Sequence, residues 1–94
     1  GYPKYTCTSV NDMICHGVPD DTVLKDGDII NVDVTALYQG FFGDTSRMYL
    51  MGNVSAEARK LCEVADQARM IGIENVRPHG MTGDIGFEVS KLVT

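Results

Sequence analysis

Residues 29–38, IINVDVTALY, alternate between two characters. The even positions Ile30, Val32, Val34, Ala36 and Tyr38 form a nearly continuous apolar face. The odd positions Ile29, Asn31, Asp33, Thr35 and Leu37 carry a polar patch at their centre. Period two marks a strand with unlike faces, because successive side chains leave opposite sides of the pleat. Glycine accepts the positive φ of a tight hairpin, so Gln39-Gly40 predicts a turn into a second strand from Phe41. Upstream, KYTCTSV (4–10) is rich in Thr, Tyr and Val and reads as a strand ended by an Asn11-Asp12 turn. MICHGV (13–18) reads as a second short strand. Residues 19–28, PDDTVLKDGD, break any period and close on the strong turn signal Asp26-Gly27-Asp28.

After Asn53 the period lengthens. Leu61, Val64, Ala65, Ala68 and Ile71 recur at three- and four-residue steps, one face of an amphipathic helix. Asn53 or Ser55 can cap its start, and Arg77-Pro78 should end it. A second helix follows, capped by Thr82, with Asp84 in its first turn and Ile85, Val89 and Leu92 along its apolar face. An antiparallel sheet of consecutive strands, followed by helices that cover it, is an α+β pattern.

Against this pattern, Asp33 and Asp44 are out of place, since aspartate is depleted in strands. A two-residue loop pairs position 38 with 41, so Thr35 faces Asp44 and Asp33 faces Ser46. The two carboxylates then share one face as diagonal neighbours, about 7–8 Å apart at the backbone. A four-residue loop would preserve that parity; a three-residue loop would destroy it. Three readings stay open: two solvated surface carboxylates, a site for a hard divalent cation between them, or a general acid/base pair.

Composition narrows the class. At 94 residues, 44% hydrophobic and 22% charged, the chain has the make-up of an ordinary folded protein. A net charge of −5, with no basic stripe, argues against a nucleic-acid partner. No apolar run approaches the ~20 residues that span a bilayer. Three unevenly spaced cysteines, Cys7, Cys15 and Cys62, suit a reducing cytoplasm better than a disulfide framework. The start without methionine and the uncapped end EVSKLVT point to a piece of a longer polypeptide. Cys15-His16 could be a catalytic pair, a zinc ligand set or a substrate-contacting histidine. Neighbours on a strand face opposite ways, however, and no CxxC or HxxxH spacing is present. Cys7 and Cys62 read as core residues, and His79 as a loop histidine.

Four segments together carry a resemblance: GYPKYTCTSVNDMICHGVPDD, LKDGDIINVDVT, GFFGDTSRMYLMG and the helix that follows. Over essentially the whole chain they resemble the type I methionine aminopeptidases, metallopeptidases of the pita-bread fold. The resemblance implies a single domain over 1–94, the N-terminal half of such a catalytic domain. It implies removal of the initiator methionine from nascent polypeptides, at the ribosome in the cytoplasm. Two divalent ions (Co, Mn, Fe or Zn) would acidify the water that attacks the first peptide bond. Asp33 would bind one ion and Asp44 would bridge both. His16 would hydrogen-bond the scissile amide, Tyr2 and Cys7 would line the methionine pocket, and main-chain oxygens of Asn31 and Val34 would hold a monovalent cation. The family's other ligands, one histidine and two glutamates, have no counterpart in this chain. Activity is therefore expected only with the remaining half, the alternative being a non-catalytic pita-bread binding module.

Overall fold

The predicted hairpin is the largest feature of the computed structural model, which describes residues 1–94. Strand β2 (Ile29–Tyr38) turns at Gln39-Gly40 and returns as β3 (Phe41–Leu50). Both turn residues have positive φ, 49° and 84°, the conformation whose twist matches that of the flanking strands. Tyr38 pairs with Phe41, Thr35 with Asp44 and Asp33 with Ser46, so the even-loop register holds along the full ladder. A shorter strand, β1 (Cys7–Val10), pairs antiparallel with the start of β2, giving the sheet order β1-β2-β3.

The strand expected over 13–18 does not form. His16 takes a left-handed φ of 57°, which breaks the run of extended residues that a ladder needs. The segment instead meets β1 through two separate backbone bonds, Thr8 N–H to the Gly17 carbonyl at 2.8 Å and Met13 N–H to the Val10 carbonyl at 3.2 Å. The first strand also begins later than its Thr/Tyr content suggests. Residues 3–6 bend, and the Tyr2 hydroxyl donates to the Thr6 carbonyl at 2.7 Å.

The end of the sheet opposite the turn is closed by polar side chains. Asn11, itself at a φ of 53°, donates to the Asp28 carboxylate at 3.0 Å and accepts the Ile29 N–H at 3.0 Å. Asp28 is 7% exposed and also accepts the Lys25 N–H at 2.9 Å. These bonds hold its carboxyl below the usual carboxylate range, the Asn11 contact first. Across the same end, Gly27 donates to the Met51 carbonyl at 2.7 Å, and Asp26 accepts the Asn53 N–H at 2.7 Å. At the turn end the sheet is open: Phe41 is 80% and Phe42 76% exposed.

The chain divides into two units, Gly1–Ser55 and Ala56–Thr94. The second holds α1 (Ala56–Glu74) and α2 (Thr82–Val93). Helix α1 starts directly after Ser55, one of the two expected caps, and stops three residues before Arg77. The Asn75 side chain ends it by donating to the Ile71 carbonyl at 2.9 Å. Its half-buried stripe includes Val64, Ala68 and Ile71 as expected, but Leu61 and Ala65 are exposed. The stripe runs instead through Cys62 to the buried Gly72, where an added Cβ would lie 3.3 Å from Ile85 of α2. That close approach explains the rotation of the packed face. Helix α2 is capped one residue earlier than predicted, at Met81, with Thr82 as its first helical residue. The Asp84 carboxylate reaches back to accept the Met81 N–H at 2.9 Å, so no Thr82 hydroxyl is needed there. Ile85, Val89 and Leu92 are half-buried along one face, as the spacing predicts.

Two measurements test this account. Gly52 has a φ of 62°, and an added Cβ would fall 1.8 Å from the Asp26 carboxylate. Gly52→Ala should therefore lower unfolding free energy by about 1–3 kcal/mol in urea titrations. Asp28 has a depressed carboxyl, so its stabilisation is present above the ordinary carboxylate pKa and is lost as pH falls through the lowered value. The urea midpoint of Asp28→Asn should accordingly depend less on pH than the parent's below about pH 4; parallel acid limbs would contradict the clasp.

Candidate metal and substrate site

Directly paired residues of an antiparallel ladder share a face. The register therefore collects Cys7 and Ser9 of β1, Asn31, Asp33 and Thr35 of β2, and Asp44, Ser46 and Met48 of β3 on one side. Asp33 stands between Cys7 and Ser46, and Asp44 lies opposite Thr35. Asp33 is half-buried and Asp44 exposed.

Whether the two carboxylates converge depends on which diagonal the sheet twist shortens. A neighbouring pair bears on this. Asn31 and Ser46 stand in the same diagonal relation, displaced by one two-residue repeat, and the Ser46 hydroxyl donates to Asn31 Oδ1 at 2.9 Å. Asp33 and Asp44 stand in that same diagonal relation, one repeat nearer the turn. No hydrogen bond or ion pair within the chain engages either carboxylate.

The other predicted residues collect along β1. The Tyr2 hydroxyl lies 2.7 Å from the Thr6 carbonyl and 3.3 Å from that of Gly17. Its phenol is pushed up to about 12, first by a hydrogen bond with the Cys7 thiol, then by desolvation and by Cys7's charge. Tyr2 thus feels the Cys7 thiol, and Cys7 stands beside Asp33 in the register. His16 is exposed at its left-handed turn, one residue before Gly17. Because 13–18 is not a strand, strand alternation does not separate Cys15 from His16. Both side chains are simply exposed. Asn31 sits within the ladder between Ser9 and Met48, whereas Val34 lies one residue past the end of β1's pairing and opposes Thr45. Every candidate residue falls within the Gly1–Ser55 unit.

The family description "Metallopeptidase family M24" matches residues 1–94. The chain belongs to that family. It is 51% identical over 91 residues to the methionine aminopeptidase of Rickettsia prowazekii, covering 97% of this chain and 35% of that protein. The crystal structure of a methionine aminopeptidase from Rickettsia prowazekii superposes with a TM-score of 0.91 at 49% identity, over 98% of this chain and 37% of that one. Prolidase from Pyrococcus furiosus, at 21% identity, shares the fold with a TM-score of 0.84 over 96% of this chain and 27% of its own. The M24 chain thus spans about a third of the length of its methionine aminopeptidase relatives, and its sheet and helices form part of the pita-bread fold.

The donor chemistry suits a divalent metal only in part. Two carboxylates on one diagonal offer the oxygen ligands that hard cations take. No group of three or more His, Cys, Asp or Glu that could hold an ion exists in the chain. Ser9 and Gly17 also belong to the site region, although the sequence assigns neither a role. Ser9 could have been found by counting two from Cys7 along β1. Gly17 could not, because its role depends on the close approach of a segment that looked like a strand.

The Tyr2–Cys7 contact can be tested by ultraviolet titration of the four tyrosines. One should ionise near pH 12, disappear in Tyr2→Phe, and move toward 10 in Cys7→Ala. Loss of an ordinary step near pH 10 in Tyr2→Phe would rule the contact out.

Proposed function

We propose that this chain is the part of a methionine aminopeptidase that supplies two of its metal-binding carboxylates and its substrate-contacting histidine. The observation that carries the reading is that Asp33 and Asp44 share one face as diagonal neighbours, free of hydrogen-bond and ion-pair partners within the chain. Like charges placed side by side repel; a shared cation turns that cost into binding. Asp33 would bind one divalent ion, and Asp44, nearer the open turn end, would bridge two. Bound there, the ions would supply a Lewis acid for the scissile carbonyl and lower the pKa of water near neutrality.

This chain's own residues do the rest. Tyr2 and Cys7 offer a phenol ring and a polarisable thiol, which suit a methionine thioether. His16, exposed beside β1, donates to the amide of the first peptide bond and stabilises charge that develops there. Main-chain oxygens of Asn31 and Val34 would hold a monovalent cation. The substrate is the N-terminal methionine of nascent chains emerging from the ribosome, and three free cysteines suit a cytoplasmic setting.

Because only two carboxylates are present, catalysis should need the remaining length of a methionine aminopeptidase. Isothermal titration with Mn(II) should show Asp33→Asn and Asp44→Asn each weakening metal binding by the intact protein at least about a hundredfold, with comparable loss of methionine release from Met-Gly-Met. Residues 1–94 alone should bind Mn(II) weakly and release no methionine. Enzyme-like turnover by that fragment would refute the requirement for further ligands.

A further inference from the structure

His16 is held by contacts that do not touch it. The peptide unit joining it to Gly17 is planar, so whatever restrains the Gly17 N–H also sets the backbone of His16. That N–H donates to the Ser9 hydroxyl at 3.1 Å in a buried bond. The Gly17 carbonyl accepts Thr8 N–H at 2.8 Å, and the Tyr2 hydroxyl, whose proton goes mainly to Thr6, lies 3.3 Å away. The approach is so close that a Cβ on Gly17 would fall 2.0 Å from the Thr8 carbonyl oxygen. Ser9 is 5% exposed, among the most buried side chains in the protein. It stands on the same face as Asp33 and pairs with Asn31 on the adjoining strand.

We propose that Ser9 is a positioning residue for His16: by accepting the Gly17 N–H it fixes the left-handed turn that presents the imidazole at a set distance from the Asp33–Asp44 face. One strand separates the two parts of the site. Ser9 ties them, since its backbone belongs to the β1–β2 ladder and its side chain to the His16 segment. Without the hydroxyl, the His16 turn keeps only the Gly17 carbonyl contacts and gains freedom about its ψ. The proposal rests on the reading of His16 as the substrate-contacting histidine.

The test is a comparison of Ser9→Thr with Ser9→Val in the intact protein, assayed on Met-Gly-Met. Both replacements are β-branched, of nearly equal size and suited to a strand, so they differ chiefly in the hydroxyl. Ser9→Thr should retain kcat within about twofold, and Ser9→Val should lower it about ten- to a hundredfold with KM and bound Mn(II) unchanged. Added to His16→Ala, Ser9→Val should cost nothing further, because the two act through one group. Equal kcat for the Thr and Val variants, or additive losses with His16→Ala, would overturn the positioning role. Loss of bound metal in Ser9→Val would overturn it too, by placing Ser9 in the metal face. If His16→Ala itself leaves kcat intact, the catalytic reading of His16 fails and the role of Ser9 falls with it. A reduced His16→Ala beside an unaffected Ser9→Val removes the Ser9 proposal alone.

Discussion

The parity of one two-residue turn governs the candidate site. Side chains on a strand alternate with period two, so a single residue more or less at Gln39-Gly40 would send Asp44 to the face opposite Asp33. Positive φ at both positions gives the turn the handedness of the strands it joins, and the ladder then carries that register to Leu50. The same twist shortens one diagonal of the hairpin. Ser46 and Asn31 meet on it directly, and Asp33 and Asp44 occupy the next diagonal of the same kind.

The far end of the sheet is secured by different means. Little apolar burial is available there, Ile30 at 8% exposure being the only buried large hydrophobe. Asn11 and Asp28 compensate with bonds to backbone groups that the loops would otherwise leave unpaired. Their arrangement is economical in space: Asn11 both donates and accepts across the β1–β2 junction, so one side chain aligns two strands. The site residues lie between this clasp and the turn.

How much could be read beforehand follows from how local each determinant is. The hairpin, its register and the shared face of Asp33 and Asp44 depend on alternation and a turn signal, both contained in neighbouring residues. The helices were legible for the same reason, down to Asp84 in the first turn of α2. The segment 13–18 looks like a strand because of the composition of Met13, Ile14 and Val18, yet it does not form one. Its shape is decided by Thr8, Ser9 and Tyr2, which grip Gly17 from outside the segment. The rotated stripe on α1 has a similar origin, since Gly72 admits Ile85 from a helix that follows later in the chain. Likewise, no local signal says that Asp84 will displace Thr82 as the group that closes the start of α2.

The aromatic turn end of the hairpin has a practical side. Strand β3 pairs with β2 alone, and Phe41, Phe42, Tyr38 and Leu37 stand exposed around its start. An unpaired strand edge beside such a cluster is a template for intermolecular β-pairing. Someone preparing this segment in isolation would meet that as a solubility ceiling that falls as salt screens the net charge of −5. Arg47, stacked 5.6 Å from the Tyr49 ring, is the one charged side chain along β3 outside the aspartate face, and it guards only the end away from the phenylalanines.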